Sequence, residues 1–302
     1  MPNIIINNYC NQACSYCFAN ANMHDKTLQK DMSLSIFITI LKFLKKNNQK
    51  EVRILWGEPL LHKDIRLFLE IASKNNFFIL LFSNINLPTK KLLEICQWIK
   101  NIRINCNIND FGFYQEKERL RVIKNKKALD RLWISSILSY NIIQTEKSPL
   151  FTEYLLENFA WHEFNIKITN SSIWENLMID NTRRKLGIYI FSLIKKYHKK
   201  VKITISCWLD KTIFSEEEIQ YINEETSIEL LFGCEGNGGE IDINTDGTFF
   251  KCYPLQKETS SKETINDILS SNISLSSIIT NFWKKYFSSG ECIWNQRIKN
   301  SV

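Results

Sequence analysis

The stretch Cys10-Asn-Gln-Ala-Cys14-Ser-Tyr-Cys17 places three cysteines close together, directly after the apolar run Ile4-Ile5-Ile6. Unequal spacing on a loop lets three thiolates converge on one face of a metal centre, and three protein ligands leave a coordination position open. A structural zinc site is the alternative, but such sites usually close all four positions with cysteine or histidine. His24 is the only local candidate for a fourth ligand, and its spacing is unlike that of a usual zinc finger. The loop therefore predicts an iron–sulfur centre.

The composition is that of an ordinary soluble protein. The 302 residues are 44% hydrophobic and 24% charged, enough for a barrel with a smaller second domain. No apolar run is long enough to span a membrane and no signal peptide is recognisable, so a cytoplasmic location is predicted. The net charge of +7 is spread over lysine-rich segments without an arginine-rich block, so no nucleic-acid partner is expected. Nothing in the sequence indicates the oligomeric state.

Apolar segments alternate with amphipathic ones over residues 1–200. The predicted strands are 3–8, 52–55, 77–82, 102–109, 133–138 and 164–168, and the predicted helical segments are 34–47, 64–75, 90–98, 115–129 (helix or loop) and 183–200. Six strands separated by helices predict an α/β fold, an open (β/α)6 barrel like a partial TIM barrel. The cysteine loop then lies at the carboxyl end of the first strand, where parallel barrels keep their active sites.

Two further segments end predicted strands with polar or turn-forming residues. The second strand is followed by Trp56-Gly57-Glu58-Pro59, where glycine permits an unusual backbone and proline stops the strand. Taken alone, this is equally well a turn with a salt-bridging glutamate. The third strand ends in Ser83-Asn84 and the fifth in Ser139.

The fourth strand alternates between apolar and polar residues. Ile102, Ile104, Cys106 and Ile108 share one face, and Arg103, Asn105, Asn107 and Asn109 share the other. In a barrel, the apolar face packs on helices and the asparagines line a polar interior. A solvent-facing side of the strand is the alternative.

The cysteine loop, with Tyr16 before its last cysteine, and the Gly57-Glu58-Pro59 turn about forty residues later together resemble the radical S-adenosylmethionine (SAM) superfamily. The resemblance implies that Cys10, Cys14 and Cys17 hold a catalytic 4Fe-4S cluster whose fourth iron binds SAM. Reduction then cleaves SAM to a 5′-deoxyadenosyl radical that abstracts a substrate hydrogen.

The same resemblance implies cofactor contacts. Gly57 and Glu58 are expected to contact the SAM amino group, for which a carboxylate is a suitable acceptor. Trp56 departs from the family's GGEP motif, where a first glycine is expected, and this affects the backbone expected at the turn. The remaining residues expected near the cofactor are Tyr16, Ser83, Asn84, Asn107, Asn109 and Ser139.

A second cysteine set comprises Cys207, Cys234, Cys252 and Cys292. Residues 241–251 predict a β-hairpin with its turn at Asp246-Gly247, flanked by two of these cysteines. The spacing resembles the SPASM and Twitch auxiliary-cluster extensions, and the shorter Twitch type fits better. It implies a second 4Fe-4S cluster with Cys207 as its fourth ligand. An iron left open for substrate and a zinc site on the same thiolates are the alternatives.

The sequence thus predicts a radical SAM barrel over residues 1–200 and a small α+β iron–sulfur domain, a hairpin plus a helix, over residues 201–302. Such extended enzymes modify ribosomally made peptides or oxidise small molecules, and a peptide-modifying maturase is the leading expectation. A reductant such as flavodoxin or ferredoxin is implied. A dehydrogenase or rearrangement enzyme acting on a sugar or other metabolite is the alternative. A non-catalytic iron–sulfur or zinc-binding protein is the alternative from another class.

Overall fold

The computed structural model describes residues 2–14, 17, 26–27, 29–109, 116–142, 148–168, 180–206, 213–230, 241–250, 260–271 and 273–286. The chain splits into two compact units, one formed by Met1–Ile104 with Glu235–Val302 and the other by Asn105–Cys234. These units are defined by packing, and the predicted domains over residues 1–200 and 201–302 stay predictions.

Strands and helices alternate along the chain. The strands are β1 (Asn3–Ile5), β2 (Glu51–Leu55), β3 (Phe78–Ser83), β4 (Ile102–Asn109), β5 (Ser135–Ile142), β6 (Glu163–Ile168), β7 (Ile203–Ser206), β8 (Asp242–Ile243) and β9 (Phe249–Phe250). The α-helices are α1 (Leu34–Lys46), α2 (Ile65–Lys74), α3 (Thr89–Cys96), α4 (Glu116–Arg131), α5 (Ser148–Asn158), α6 (Asp180–Tyr197), α7 (Glu216–Glu225), α8 (Ile265–Ser270) and α9 (Leu275–Tyr286). The six predicted strands are all present, and β7 is an additional one.

The sheet of the first unit is parallel around β1. β1 pairs with β2 on one side and with β8 on the other, and Ile4 lies opposite both Ile54 and Ile243. β3 pairs parallel with β2. All three isoleucines are fully buried, as are Phe37, Ile40, Phe43 and Leu44 of α1. The predicted α/β fold with a parallel sheet is therefore confirmed.

The predicted hairpin of residues 241–251 is present as β8 and β9. Its strands are antiparallel, and the backbone N–H of Gly247 donates to the carbonyl of Asn244 at 2.9 Å. Gly247 has a φ of +83°, a conformation that favours glycine and is typical of a three-residue hairpin loop. β8 also adds a strand to the parallel sheet of the first unit, because it pairs with β1. A side-chain bond supports this pairing, in which Asn3 Nδ2 donates to Asp242 Oδ1 at 2.7 Å. The hairpin thereby covers an edge of β1 that would otherwise be open to other chains.

The second unit contains the parallel strands β5, β6 and β7. The register places Ser139, Asn165 and Thr204 in one row, so these residues share a face of the sheet. On this face Asn165 Nδ2 donates to Thr204 Oγ1 at 2.9 Å. The neighbouring row, on the opposite face, is apolar and buried, and includes Leu138 and Phe164.

Two close contacts hold the helices of the second unit. Lys126 of α4 is fully buried, where it pairs with Asp130 and donates to the Ala160 carbonyl at 2.7 Å. Gly187 of α6 lies so near the Ile213 carbonyl that a Cβ there would stand 1.7 Å from the oxygen. The first contact satisfies a buried charge, and the second leaves no room for any side chain.

The fifth strand begins later than predicted. Trp133 was expected to start it, but this residue follows α4 with a φ of +57° and is 94% exposed. Its backbone N–H donates to the Asp130 carbonyl at 3.0 Å, and that of Ile134 donates to Leu129 at 3.1 Å. These bonds end α4, with Trp133 in the left-handed conformation that glycine usually occupies at the end of a helix. The strand therefore begins only at Ser135.

No helix among the described residues is both long enough and apolar enough to cross a membrane.

Candidate active site at the cysteine loop

The cysteine loop leaves β1 and returns to the same place. The backbone N–H of Met32 donates to the Ile6 carbonyl at 2.7 Å, and that of Lys30 donates to Asn8 Oδ1 at 2.6 Å. Asn7 and Asp31 form an antiparallel bridge between these two contacts. The base of the loop is therefore closed at the carboxyl end of β1.

Tyr9 and His62 strengthen this closure. The Tyr9 hydroxyl donates to Asp31 Oδ1 at 2.7 Å, and burial together with the Asp31 carboxylate raises the pKa of Tyr9. His62 is buried, and its Nδ1 accepts the backbone N–H of Asp64 at 3.1 Å. The ring proton is thus on Nε2, which donates to the Met32 carbonyl at 3.1 Å. The sequence analysis did not identify His62 as part of the site, because its partners are distant in sequence.

Cys10, Cys14 and Cys17 are half-buried, and none of the three forms a disulfide. The N–H of Cys17 donates to the Cys14 carbonyl at 2.9 Å, which folds the loop back on itself. Burial, the charge of Glu58 and the neighbouring Cys14 and Cys17 raise the pKa of Cys10 to about 12. Without a bound cation, Cys10 is therefore a protonated thiol at neutral pH, and three thiolates together need metal charge to stabilise them.

The donor set fits an iron–sulfur cluster. Such clusters are held by cysteine thiolates, each on a different iron, so the sulfurs need not converge on one point. Within the described part of the chain, no three His, Cys, Asp or Glu side chains are close enough to hold a single metal ion. Cys10, Cys14 and Cys17 are donors of the kind that such a cluster needs.

The turn after β2 lies against the entrance of the cysteine loop. Trp56 and Gly57 have φ angles of +71° and +56°, so two consecutive residues are left-handed. A Cβ on Gly57 would stand 2.5 Å from the Tyr9 carbonyl oxygen and 2.9 Å from that of Asn7. The N–H of Glu58 donates to the same Tyr9 carbonyl at 2.8 Å. Gly57 is therefore required by both conformation and space, while Trp56 tolerates a conformation that costs a residue with a side chain about 1–2 kcal/mol.

Glu58 is buried at the centre of a small polar network. Its carboxylate accepts from Ser83 Oγ at 2.8 Å, from the Asn84 N–H at 2.8 Å and from the Leu60 N–H at 3.1 Å. Burial raises the pKa of Glu58 to about 7, although these three hydrogen bonds oppose the shift. A carboxylate has about four acceptor positions, so one remains for a further donor. The structure thus brings together Glu58, Ser83 and Asn84.

The stability of the metal-free protein is expected to depend on the titration of Glu58. A carboxyl whose pKa is raised from 4.5 to about 7 contributes stability below pH 4.5, and this is lost as the pH rises through 7. Relative to Glu58→Gln, the wild type should lose about 3 kcal/mol of unfolding free energy between pH 4.5 and 8. Urea unfolding of both proteins across this range measures the difference.

Glu94→Gln is the matched control for this prediction, because Glu94 is 56% exposed. This variant measures the effect of removing an exposed carboxyl under the same conditions. A difference between Glu58→Gln and the wild type that stays constant over this pH range would contradict the buried, raised carboxyl.

The other predicted contacts lie in the second unit or outside the described residues. Asn107 is half-buried, and Ser139 is fully buried with no hydrogen-bond partner for its hydroxyl among the described residues. Asn105, which was not predicted to bind the cofactor, is 5% exposed, and its Oδ1 also has no partner there. The remaining predicted site residues lie outside the described part of the structure. These are the side chain of Asn109 and the whole residues Tyr16, Cys207, Cys234, Cys252 and Cys292.

Comparison with known proteins identifies the N-terminal region. Residues 4–135 match the model of the radical SAM superfamily. No curated protein sequence matches the chain.

Several solved structures share the fold at low sequence identity. Streptococcus suis SuiB bound to S-adenosylmethionine has a TM-score of 0.64 at 17% identity, covering 97% of this chain and 71% of SuiB. In the complex of SuiB with its precursor peptide SuiA, the match has a TM-score of 0.64 at 18% identity and covers 87% of this chain. This chain spans only 62% of SuiB in that complex. anSMEcpe with bound AdoMet and the Cp18Cys peptide has a TM-score of 0.61 at 13% identity, covering 97% of this chain and 87% of anSMEcpe.

The family match covers the cysteine loop, the Gly57-Glu58 turn and the Ser83-Asn84 pair, and the solved structures show the same fold. The part of the chain that holds these motifs, residues 4–135, is therefore similar to the radical SAM superfamily, and this part is less than half of the chain.

Proposed function

We propose that the protein is a radical SAM enzyme that cleaves SAM reductively and abstracts a hydrogen atom from its substrate. The observation that carries this proposal is the set of three half-buried cysteines, in no disulfide, on a closed loop beside the Gly57-Glu58 turn. A reduced 4Fe-4S cluster and SAM, once bound, would supply a 5′-deoxyadenosyl radical. Cys10, Cys14 and Cys17 would hold that cluster.

The residues around the loop bind and orient the cofactor in this proposal. Gly57 lets the backbone approach without a side chain, and Glu58 offers its remaining acceptor position to the SAM ammonium group. An ammonium group there also favours the ionised carboxylate, so binding lowers the pKa of Glu58. Ser83 and Asn84 hold the carboxylate in place. Ser139 and Asn107 stay predicted contacts, and for Ser139 the buried hydroxyl without a partner among the described residues supports the prediction.

The proposed substrate is a ribosomally synthesised peptide. SuiB was solved with its precursor peptide SuiA and anSMEcpe with a Cp18Cys peptide, and each match covers 87% or more of this chain. Ser139, Asn165 and Thr204 lie inside β5, β6 and β7 and share one face of the sheet, and this polar face supports a polar substrate. The supply of electrons by a flavodoxin or ferredoxin belongs to the same proposal.

A second 4Fe-4S cluster on Cys207, Cys234, Cys252 and Cys292 is also proposed. The hairpin that separates Cys234 from Cys252 in the sequence supports it, because its two strands pair as the Twitch-like pattern requires. The cluster would accept an electron, tune the site or bind the substrate.

The test begins with anaerobic reconstitution and measurement of iron, sulfide and 5′-deoxyadenosine. The wild type should bind iron and sulfide and cleave SAM when a reductant is added. Cys14→Ala should form no 5′-deoxyadenosine above background, since it removes a cluster ligand. Cys252→Ala should retain some SAM cleavage but form no modified product.

Cys96→Ala is the matched control, because Cys96 is fully buried on α3. This variant should take up iron and cleave SAM like the wild type. Continued SAM cleavage by Cys14→Ala would refute the assignment of the cluster ligands.

A further inference from the structure

The side chain of Asn84 has a fixed orientation. Its Oδ1 accepts the backbone N–H of Asn86 at 2.8 Å. Because a backbone N–H only donates, the amide oxygen must face it, and the amide nitrogen must face the other way. That nitrogen donates to Asn11 Oδ1 at 2.9 Å and to Cys10 Sγ at 3.6 Å. The amide cannot rotate by half a turn without losing all three contacts.

The turn that carries Asn84 is itself held firmly. Its backbone N–H donates to Glu58 Oε2 at 2.8 Å, and the following N–H, of Ile85, donates to Ser83 Oγ at 2.9 Å. Ile85 has a φ of +46°, which is an outlier for a β-branched residue. Such a conformation persists only where the surroundings fix it. The turn therefore presents Asn84 to Cys10 in one position.

Asn84 lies between two groups that are negative when ionised. Its backbone donates to the Glu58 carboxylate, and its side chain donates to the sulfur of Cys10. Cys10 Sγ also accepts the N–H of Gln12 at 3.4 Å. Two N–H groups therefore point at this sulfur, and one of them belongs to a side chain that mutation can change.

We infer that Asn84 is a positioning residue that raises the reduction potential of the cluster on Cys10. This inference rests on the proposed function. Reduction adds negative charge to the cluster and its sulfurs, so a donor at a ligand sulfur stabilises the reduced state more than the oxidised one. Asn84 thus makes the electron transfer that precedes SAM cleavage more favourable.

The test compares the reconstituted wild type with Asn84→Ala and Asn84→Asp in redox titrations monitored by EPR, without SAM. Asn84→Ala removes the donor, and the reduction equilibrium constant should fall about tenfold, as for the loss of one hydrogen bond to a charged group. For a one-electron couple this is a shift of about 59 mV to lower potential. Asn84→Asp keeps the size of the side chain but puts a carboxylate beside the sulfur, so its potential should be lower still.

Iron and sulfide are measured in every sample, with Cys96→Ala as the reference for normal loading. Loaded variants with the wild-type potential would overturn the inference and leave the proposed function intact. If both variants fail to bind iron while Cys96→Ala binds it, Asn84 serves cluster assembly and the inference is also wrong. A third outcome is that the wild type binds iron and the two variants show the lower potential, but the wild type cleaves no SAM. In that case the proposed function is wrong and the inference about Asn84 stands.

Discussion

Gly57→Ala is expected to separate the turn after β2 from the cysteine loop and so to abolish cluster binding. The new Cβ would stand 2.5 Å from the Tyr9 carbonyl oxygen and 2.9 Å from that of Asn7, and both are backbone atoms that cannot rotate away. The left-handed φ of +56° adds a conformational cost of about 1–2 kcal/mol for a residue with a Cβ. Together these effects should lower the unfolding free energy by about 3 kcal/mol.

Urea unfolding of the metal-free protein and iron uptake on reconstitution measure the two consequences. Gly247→Ala is the matched control, because Gly247 is also left-handed, at +83°. Its Cβ would meet the Ile265 side chain at 3.0 Å, and the nearest backbone atom is 3.7 Å away. This control should lose about 1–2 kcal/mol and still bind iron. If both variants lose the same unfolding free energy and both take up iron fully, the close approach of Gly57 to the Tyr9 and Asn7 carbonyls is not needed for cluster binding.

Gly187→Ala is expected to destabilise the second unit. Its Cβ would stand 1.7 Å from the Ile213 carbonyl oxygen and 2.7 Å from the carbonyl carbon, so the segment before α7 must move away from α6. The movement would also break the bond from Arg184 Nη1 to the same carbonyl, at 3.4 Å. Alanine is favoured over glycine in a helix by about 1 kcal/mol, but overpacking of this severity costs about 3 kcal/mol or more. The net loss should be about 2 kcal/mol.

Lys185→Ala, at the exposed neighbouring position of α6, is the control and should change the stability by less than about 0.5 kcal/mol. Thermal and urea unfolding of both variants measure the difference. A Gly187→Ala protein as stable as the wild type would mean that the segment at Ile213 moves without cost.

Local sequence patterns were sufficient for most of the fold. The alternation of Ile102–Asn109 predicted β4 to the residue, because a strand with one buried face repeats every two residues. Trp133 misled the prediction, since an aromatic residue favours strands but here takes the position that ends α4. α7 was not predicted, although Ser215 and Glu218 form a capping box that the sequence displays.

The site was predictable where its residues form motifs and hidden where its contacts are distant in sequence. The cysteine spacing and the Gly57-Glu58 turn identified the loop and its neighbour. His62, Asn11 and Asn86 were missed, because their roles depend on which backbone groups the fold brings to them. Likewise, no local pattern indicates that β8 pairs with β1, since strand pairing over such separations is set by the whole sheet.

The pairing of β8 with β1 has a consequence for how the protein is made. β1 leaves the ribosome well before β8, its second neighbour in the sheet, which lies at Asp242–Ile243. At about 5–20 residues per second, synthesis from one strand to the other takes roughly 12–50 s. During that time one edge of β1 is exposed beside the cysteine loop, open to chaperones and to other nascent chains. The first unit therefore completes its folding only after residue 243 has been made, and a ribosome that stalls before residue 242 leaves that edge uncovered.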